Sequence, residues 1–201
     1  MKKHGKLYHH LSNNMGIEKE RIFVCDGSPY NCSVFLVGIN PAFSGYRGSF
    51  WQFWDNRKGF NLSAWIESFK LIRKEEGKPE LTRTRSMIER LRSELRNYQI
   101  SLLDLNVYLK PTPRANALSR IDKNTNVFWY LVGEIKPRLI YLHGIQPRKI
   151  VEKKVEFKID KNKFYKDPSD SYMIYATNHL SYQVSSQGVA EIAKKIAQKL
   201  L

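Results

Sequence analysis

Cysteines and long apolar runs are scarce in this chain of 201 residues. The sequence has only two cysteines, Cys25 and Cys32. Two thiols cannot supply the four ligands of an iron–sulfur cluster, and their apolar neighbours predict buried free thiols in a reducing compartment. No apolar run approaches the roughly 20 residues that cross a bilayer, and the basic N-terminus lacks the apolar stretch of a secretory signal. We therefore expect a cytoplasmic protein with no membrane association.

The residue patterns that hold metals and cofactors are missing as well. The five histidines show no HxxxH spacing, the cysteines form no CxxC, and carboxylates are few at the ends of the predicted strands. These gaps argue against a metal site and against a metal-dependent nuclease. The glycines fit neither GxGxxG nor GxxxxGK[ST], and no GxSxG motif is present. The sequence predicts no metal and no cofactor.

Acidic residues are strongly outnumbered. The chain has 34 Lys and Arg against 19 Asp and Glu, which gives a formal net charge of +15. A positive field of this size attracts polyanions and speeds encounter with them, so nucleic acid is the leading partner class. A purely solubilising role for the charge stays open, because net charge says nothing about chemistry.

Strand-like and helix-like patterns alternate along the chain. Nearly continuous apolarity, typical of parallel strands covered on both faces, occurs in Ser33–Ile39, Ile100–Tyr108, Arg138–Leu142 and Tyr172–Ala176. Helical periodicity occurs in Ser63–Glu75, Thr84–Arg96, Thr125–Ile135 and Gln187–Leu201. An edge strand is predicted near Arg21–Cys25, and a β-hairpin over Glu152–Asp167. The order predicts one α/β domain over residues 1–201, with a parallel sheet and helices on both faces.

Polar residues follow several of the predicted strands. In open α/β sheets, ligands bind beyond the carboxyl ends of the strands, where Asn40, Asn106, His143 and His179 are expected. Each residue has a simpler explanation: an Asn before Pro caps turns, a strand-end Asn satisfies loop backbone, His143 before Gly takes a packing or turn position, and His179 is a surface His. Their shared placement at one edge of the sheet favours a functional site.

Three short motifs resemble the uracil-DNA glycosylase superfamily. They are GINP at Gly38–Pro41, Asn106 at a strand end, and NHLS at Asn178–Ser181. The GINP form is similar to the mismatch-specific and single-strand-selective branches, and Phe50-Trp51 with Gly59-Phe60 resembles an FW…GF pair of the mismatch-specific branch. The resemblance covers most of residues 30–201. It implies a three-layer α/β/α sandwich around a central four-stranded parallel sheet.

The resemblance also implies an activity, the hydrolysis of the N-glycosidic bond of uracil or a related damaged base flipped out of DNA. Asn40 would position the attacking water, Asn106 would read the Watson–Crick edge, and His179 would stabilise charge on the uracil O2. The further substrate-binding candidates are Gly38, Pro41 and Ser181 from the motifs, and Phe43, Tyr46 or Phe50 as the ring that stacks on the base. The DNA-binding candidates are Arg47, Lys110, Arg114 and Arg148 for phosphates, and Tyr182 or Gln183 as a wedge.

Two departures from the family pattern keep other functions open. Ala42 follows GINP where the family often has Gly, and Leu180 stands where the second motif usually has Pro. A non-catalytic nucleic-acid-binding protein with the same fold is the main alternative, and a related enzyme for another base or for free nucleosides is a third. We expect a DNA-binding monomer. Modest turnover is expected too, because the Asn40 amide cannot accept a proton as a carboxylate can.

Overall fold

The computed structural model describes residues 3–42, 45–112 and 115–201. The strands of this part of the chain are β1 (Phe23–Val24), β2 (Val34–Gly38), β3 (Trp54–Asp55), β4 (Gly59–Phe60), β5 (Leu102–Asn106), β6 (Leu139–His143), β7 (Phe164–Lys166) and β8 (Met173–Thr177). Six of them form one sheet in the order β1-β5-β2-β6-β8-β7, and β3 pairs with β4. The four middle strands are parallel, and the edge strands β1 and β7 are antiparallel to their neighbours. The fold is mixed α/β with a mostly parallel central sheet. Two edge strands flank the four expected parallel strands: β1 lies where an edge strand was predicted near Arg21–Cys25, and β7 lies in the segment predicted as a separate hairpin.

Helices connect most of these strands. They are α1 (Lys3–His9), α2 (Leu62–Glu75), α3 (Arg83–Arg96), α4 (Asn126–Ile135), α5 (Ile145–Val155), α6 (Leu180–Gln183) and α7 (Ser186–Leu200). A π-helical turn (His10–Asn14) and three short 3-10 helices (Pro29–Asn31, Phe50–Phe53 and Ala115–Ala117) complete the helical segments of the described residues. None of the helices described is long and apolar enough to cross a membrane.

Alternate side chains of β2 enter two separate hydrophobic cores. Val34 and Leu36 pack in one core with residues of α3 and α7, whereas Phe35 and Val37 pack in the other with residues of α2 and α4. Every residue of β2 is buried. Because both faces of the strand are covered, its sequence shows continuous apolarity in place of alternation.

The first turn of α3 is fixed by a side-chain cap. Thr82 precedes the helix, and its hydroxyl accepts the backbone N–H of Arg85 at 3.0 Å. This is the usual N-cap bond, which satisfies one of the four N–H groups that lack an intrahelical partner. The cap sets where α3 begins, and with it the position of one wall of the cleft described below.

The prediction of a β-hairpin over Glu152–Asp167 is wrong. Its first residues belong to α5, and the hairpin of this region is instead formed by β7 and β8. Val151 and Val155 lie one helical turn apart on the buried face of α5. Ile159 is buried in the loop that follows the helix. The carboxylate of Glu152 accepts the N–H of Ile159 at 2.9 Å and holds this loop against the helix. The alternating apolar residues of this segment are therefore the buried residues of a helix and of the loop after it, and they do not form a strand there.

Candidate functional site

A cleft of about 430 Å³ lies at the carboxyl ends of β2, β5 and β6. Its walls are the GINP loop, the end of β5, the first turn of α3 and the segment that begins at His179. The cleft brings together seven of the residues proposed from the sequence: Gly38, Asn40, Pro41, Asn106, His179, Ser181 and Tyr182. Sites in sheets of this type form at this edge, because several parallel strands end there.

Gly38 allows two neighbouring strands to place polar side chains side by side. It pairs with Asn106 across β2 and β5. A Cβ at position 38 would lie 2.6 Å from Oδ1 of Asn106 and 3.1 Å from Nε2 of His143. Both distances are shorter than an ordinary van der Waals contact, so no other residue fits without moving these groups. The absent side chain is thus what joins Asn106 and His143 into one site.

Asn106 has a buried amide with unused hydrogen-bonding capacity. The residue is 6% exposed, and its Nδ2 has no hydrogen-bond partner among the described residues. A buried donor without a partner costs about 1–3 kcal/mol of stability. An amide both donates and accepts, which suits the edge of a nucleobase. The cost is explained if a ligand supplies the missing acceptor.

The amide of Asn40 is oriented by the loop that follows β5. Nδ2 donates to the hydroxyl of Thr112 at 2.9 Å and to its carbonyl oxygen at 3.1 Å. In return, the N–H of Thr112 donates to the carbonyl oxygen of Pro41 at 3.0 Å. These bonds commit Nδ2 to the protein, and they leave Oδ1 of the half-buried Asn40 as the group that can accept a hydrogen bond from water.

The imidazole of His179 is held in one tautomer by Ser181. Nδ1 of His179 accepts the backbone N–H of Ser181 at 3.3 Å and its hydroxyl lies at 2.8 Å. Burial lowers the pKa of His179, so the ring is neutral at neutral pH. A neutral ring that accepts at Nδ1 carries its proton on Nε2. His179 is therefore a hydrogen-bond donor through Nε2.

His143 is a second neutral imidazole in the cleft. It is 6% exposed, its Nδ1 has no partner in the described part of the chain, and its ring centre lies 4.9 Å from that of His179. Burial, reinforced by the neighbouring His179, lowers the pKa of His143 to about 3. The sequence favoured a turn or packing role for this residue. Its position directly after the third apolar run, before Gly144, was the signal for a site role.

The floor of the cleft carries a buried ionic network. Asp104 is 3% exposed and accepts two hydrogen bonds from Arg85, each at 2.9 Å, and one from Arg92 at 3.0 Å. Arg85 also bonds to Glu89 at 2.9 Å, and Arg21 lines the same floor. With three guanidinium groups against two carboxylates, the floor is cationic. Sequence reasoning missed the network. Arg85, Glu89 and Arg92 stand among the many charged residues of α3, so nothing distinguishes them from surface residues, and Asp104 is a single charge in an otherwise apolar strand.

The two described candidates for the stacking ring are buried away from the cleft. Tyr46 is 5% exposed, and its hydroxyl donates to the carbonyl oxygen of Lys19 at 2.8 Å. Phe50 is fully buried, stacked on Phe60 at 5.4 Å and edge-on to Phe23 at 5.3 Å. Because neighbouring side chains already cover these rings, the prediction that one of them stacks on a base is corrected. The third candidate, Phe43, lies outside the described residues.

Other aromatic rings line the cleft. Phe69 of α2 contributes a buried ring, and Tyr182, which is 80% exposed, stands near His179 with 5.2 Å between ring centres. Phe69 belongs to the apolar stripe of a helix, so its sequence position gave no sign of a role in the site. Tyr182 was proposed as a wedge, and its exposure suits that prediction.

Three of the basic residues proposed for DNA lie outside the cleft. Arg47 is exposed and 2.8 Å from Glu75, Lys110 is exposed, and Arg148 lies 3.8 Å from Glu152. None of the three lines the cleft that the described residues form. Arg114 and the side chain of Gln183 lie outside the described residues. Phosphate binding by these side chains stays a prediction.

No family model matches this chain, and no curated protein matches it. Within the described ranges, no three His, Cys, Asp or Glu side chains are placed to hold a metal ion. The described part of the cleft presents two amides and two neutral imidazoles above a cationic floor.

Proposed function

We propose that the protein is a monofunctional DNA glycosylase that hydrolyses the N-glycosidic bond of uracil, or of a related base, after the base is flipped out of DNA. The observation that carries the proposal is the buried, unpartnered Nδ2 of Asn106 in the same cleft as Asn40 and His179. The four parallel middle strands, with helices packed on both faces, support the three-layer sandwich of the uracil-DNA glycosylase superfamily.

Asn106 would select the base. Its Nδ2 would donate to O4 of uracil while its Oδ1 accepts from N3–H. Cytosine presents the opposite pattern, an amino donor and an N3 acceptor, so the same amide orientation would reject it. Gly38 supports this role because it lets Oδ1 of Asn106 lie directly over the end of β2.

His179 and Asn40 would carry out the hydrolysis. When the bond between C1′ and N1 breaks, uracil leaves as an anion whose charge is shared by O2, and Nε2–H of His179 is a donor already prepared for that charge. Oδ1 of Asn40 would hold the water that attacks the oxocarbenium-like C1′. The water's proton passes to solvent or to the departing uracil, because an amide cannot take it. A slow enzyme follows from this.

The protein surface would supply DNA affinity. A net charge of +15 favours binding to the phosphate backbone. Tyr182 is exposed at the mouth of the cleft, where a wedge must enter the base stack. The proposed contacts to phosphates are Arg47, Lys110, Arg114 and Arg148, and Gln183 is the alternative wedge.

One observation favours a second function, a non-catalytic nucleic-acid-binding protein. The amide of Asn40 bonds to Thr112 and so joins two loops, a role that requires no substrate. If that is its whole role, the cleft binds a flipped base and does not cleave it.

An excision assay separates the two functions. Single- and double-stranded oligonucleotides bearing uracil are incubated with excess protein and then treated with alkali, which cleaves abasic sites. The glycosylase proposal requires strand breaks that disappear in Asn40→Ala and fall sharply in His179→Ala, with exposed Asn56→Ala as the matched control. Binding without breaks on uracil, hypoxanthine and mismatched substrates would overturn the enzyme and leave the binding module.

A further inference from the structure

Arg21 is a buried cation without a hydrogen-bonded anion. It is 8% exposed and lines the floor of the cleft. Its Nε has no hydrogen-bond partner, and its guanidinium donates no hydrogen bond and forms no ion pair within the described residues. Buried charges in proteins are normally paired and hydrogen-bonded. Arg21 departs from this rule at the bottom of an open cleft.

The surrounding groups compensate Arg21 only in part. The ring of Trp65 lies 5.9 Å from the guanidinium, a cation–π contact that satisfies no N–H group. The nearby carboxylate of Asp104 is already taken by Arg85 and Arg92. Burial lowers the pKa of Arg21 to about 10, although Asp104 opposes this shift. An anion entering the cleft would meet an uncommitted guanidinium.

The N-terminus of α3 lies at the same cleft. Thr82, Arg83 and Thr84 line it, and α3 is 14 residues long. The first N–H groups of any α-helix have no intrahelical partner. In α3 the side chain of Thr82 caps the N–H of Arg85 and leaves those of Arg83 and Thr84 uncapped by it. Helix N-termini attract anions through these groups and through the helix dipole. A side-chain cation and a helix terminus thus border the same space.

We propose that Arg21 and the first turn of α3 form an oxyanion subsite in this cleft, which takes a carboxylate or a phosphate group. Guanidinium groups bind both through parallel N–H donors, a geometry that Arg85 already uses toward Asp104. The oxyanion is either an acidic substituent on a base held by Asn106 or a phosphate. The subsite requires no cleavage of a glycosidic bond, so it stands apart from the proposed activity.

Titration calorimetry with three probes tests the subsite at matched ionic strength in chloride. The probes are inorganic phosphate, orotate (uracil with a 6-carboxylate) and uracil. We expect the wild-type protein to bind at least one oxyanion, and Arg21→Gln to weaken that binding about tenfold or more while leaving uracil binding unchanged. Arg90→Gln is the matched control, because Arg90 lies on α3, the helix whose first turn borders the subsite, yet it is 47% exposed and points to Glu94 at 4.0 Å. It should bind all three probes as the wild type does.

The outcomes distinguish the source of the oxyanion. Binding of orotate alone assigns the subsite to an acidic group on the base, and binding of phosphate alone assigns it to a phosphate. If uracil fails to bind, that result contradicts the role proposed for Asn106. The titration with phosphate still tests the oxyanion subsite independently. Absence of binding by both oxyanions, or equal binding by wild type and Arg21→Gln, would overturn it.

A second measurement uses the wild-type protein, in case Arg21→Gln does not fold. In the wild-type protein, the Nε–H resonance of Arg21 is assigned and then followed by nuclear magnetic resonance as phosphate or orotate is added. A saturable shift by either oxyanion is expected, because the partnerless Nε–H acquires an acceptor. A resonance that neither probe moves would contradict the proposal.

Discussion

Ser181 directs both its backbone N–H and its hydroxyl to Nδ1 of His179, at 3.3 and 2.8 Å. This pair of contacts decides which nitrogen of the imidazole carries the proton. Burial keeps the ring neutral by lowering its pKa, so Nε2–H is the donor offered to the cleft. The role proposed for His179 depends on this relationship.

Ser181→Ala should lower the excision rate by about tenfold, less than His179→Ala, because it removes one of the two bonds that fix the tautomer.

In the wild type, the rate should stay flat from pH 8 down to about 6.5, the ordinary pKa of histidine, since the pKa of His179 is lower still. Single-turnover rates against pH measure both effects. A rate that rises as His179 becomes protonated would contradict the neutral-donor role.

Gly38→Ala should disturb the site directly. The new methyl group would lie 2.6 Å from Oδ1 of Asn106 and 3.1 Å from Nε2 of His143, so base binding should be lost and stability should fall by about 1–3 kcal/mol. Gly133→Ala is the matched control. A Cβ there meets no described atom within 4 Å, and a helical glycine gains about 0.4–1 kcal/mol on this change. Urea unfolding and uracil titration measure the contrast, and unchanged uracil affinity in Gly38→Ala would refute it.

Asp104→Asn should be strongly destabilising. It leaves the buried Arg85 and Arg92 without the carboxylate of Asp104, so that Glu89 is the only carboxylate still bonded to them in the described chain, at a cost of about 3–5 kcal/mol. Asp26→Asn removes a carboxylate that pairs with Arg96 at the surface, so it should change stability little. Urea midpoints of the two variants test this. Similar midpoints would show that the network contributes no more than a surface pair.

His143 should make the protein sensitive to mild acid. Its pKa is about 3 in the folded protein and about 6.5 when unfolded, so the unfolded chain binds an extra proton between these values. Stability should therefore fall as pH drops below about 6.5, by up to about 1.4 kcal/mol per pH unit. His143→Gln should flatten this slope. Chemical denaturation between pH 4 and 8 measures it, and an equal slope in the variant would show that other groups cause the acid sensitivity.

The central strands and three polar groups of the cleft were accessible from the sequence. Strands covered on both faces are continuously apolar, and parallel strands end at one edge, so Asn40, Asn106 and His179 were expected together, and they line one cleft. Their catalytic roles remain predictions. The resemblance named these residues, whereas the geometry shows how Gly38 and Thr112 position them.

Contacts between distant segments were not accessible. Arg21 precedes β1 and Asp104 lies within β5, and nothing in either segment signals that both reach the floor of the cleft. Phe50 and Tyr46 follow the GINP motif closely, but their rings are buried in the hydrophobic core, where Phe50 stacks on Phe60. The helix α5 was missed because its buried residues continue into a loop that imitates alternation. Burial decides each of these cases, and a single sequence does not specify it.

The decisive measurement of glycosylase activity is the release of free uracil from a uracil-containing oligonucleotide, followed by mass spectrometry in single turnover. We predict uracil release by the wild type and no detectable release by Asn40→Ala. Asn106→Leu should lose release without losing stability, because Leu removes an unpartnered buried donor. Absence of uracil release by a folded, DNA-binding wild-type protein would contradict the proposed glycosylase activity.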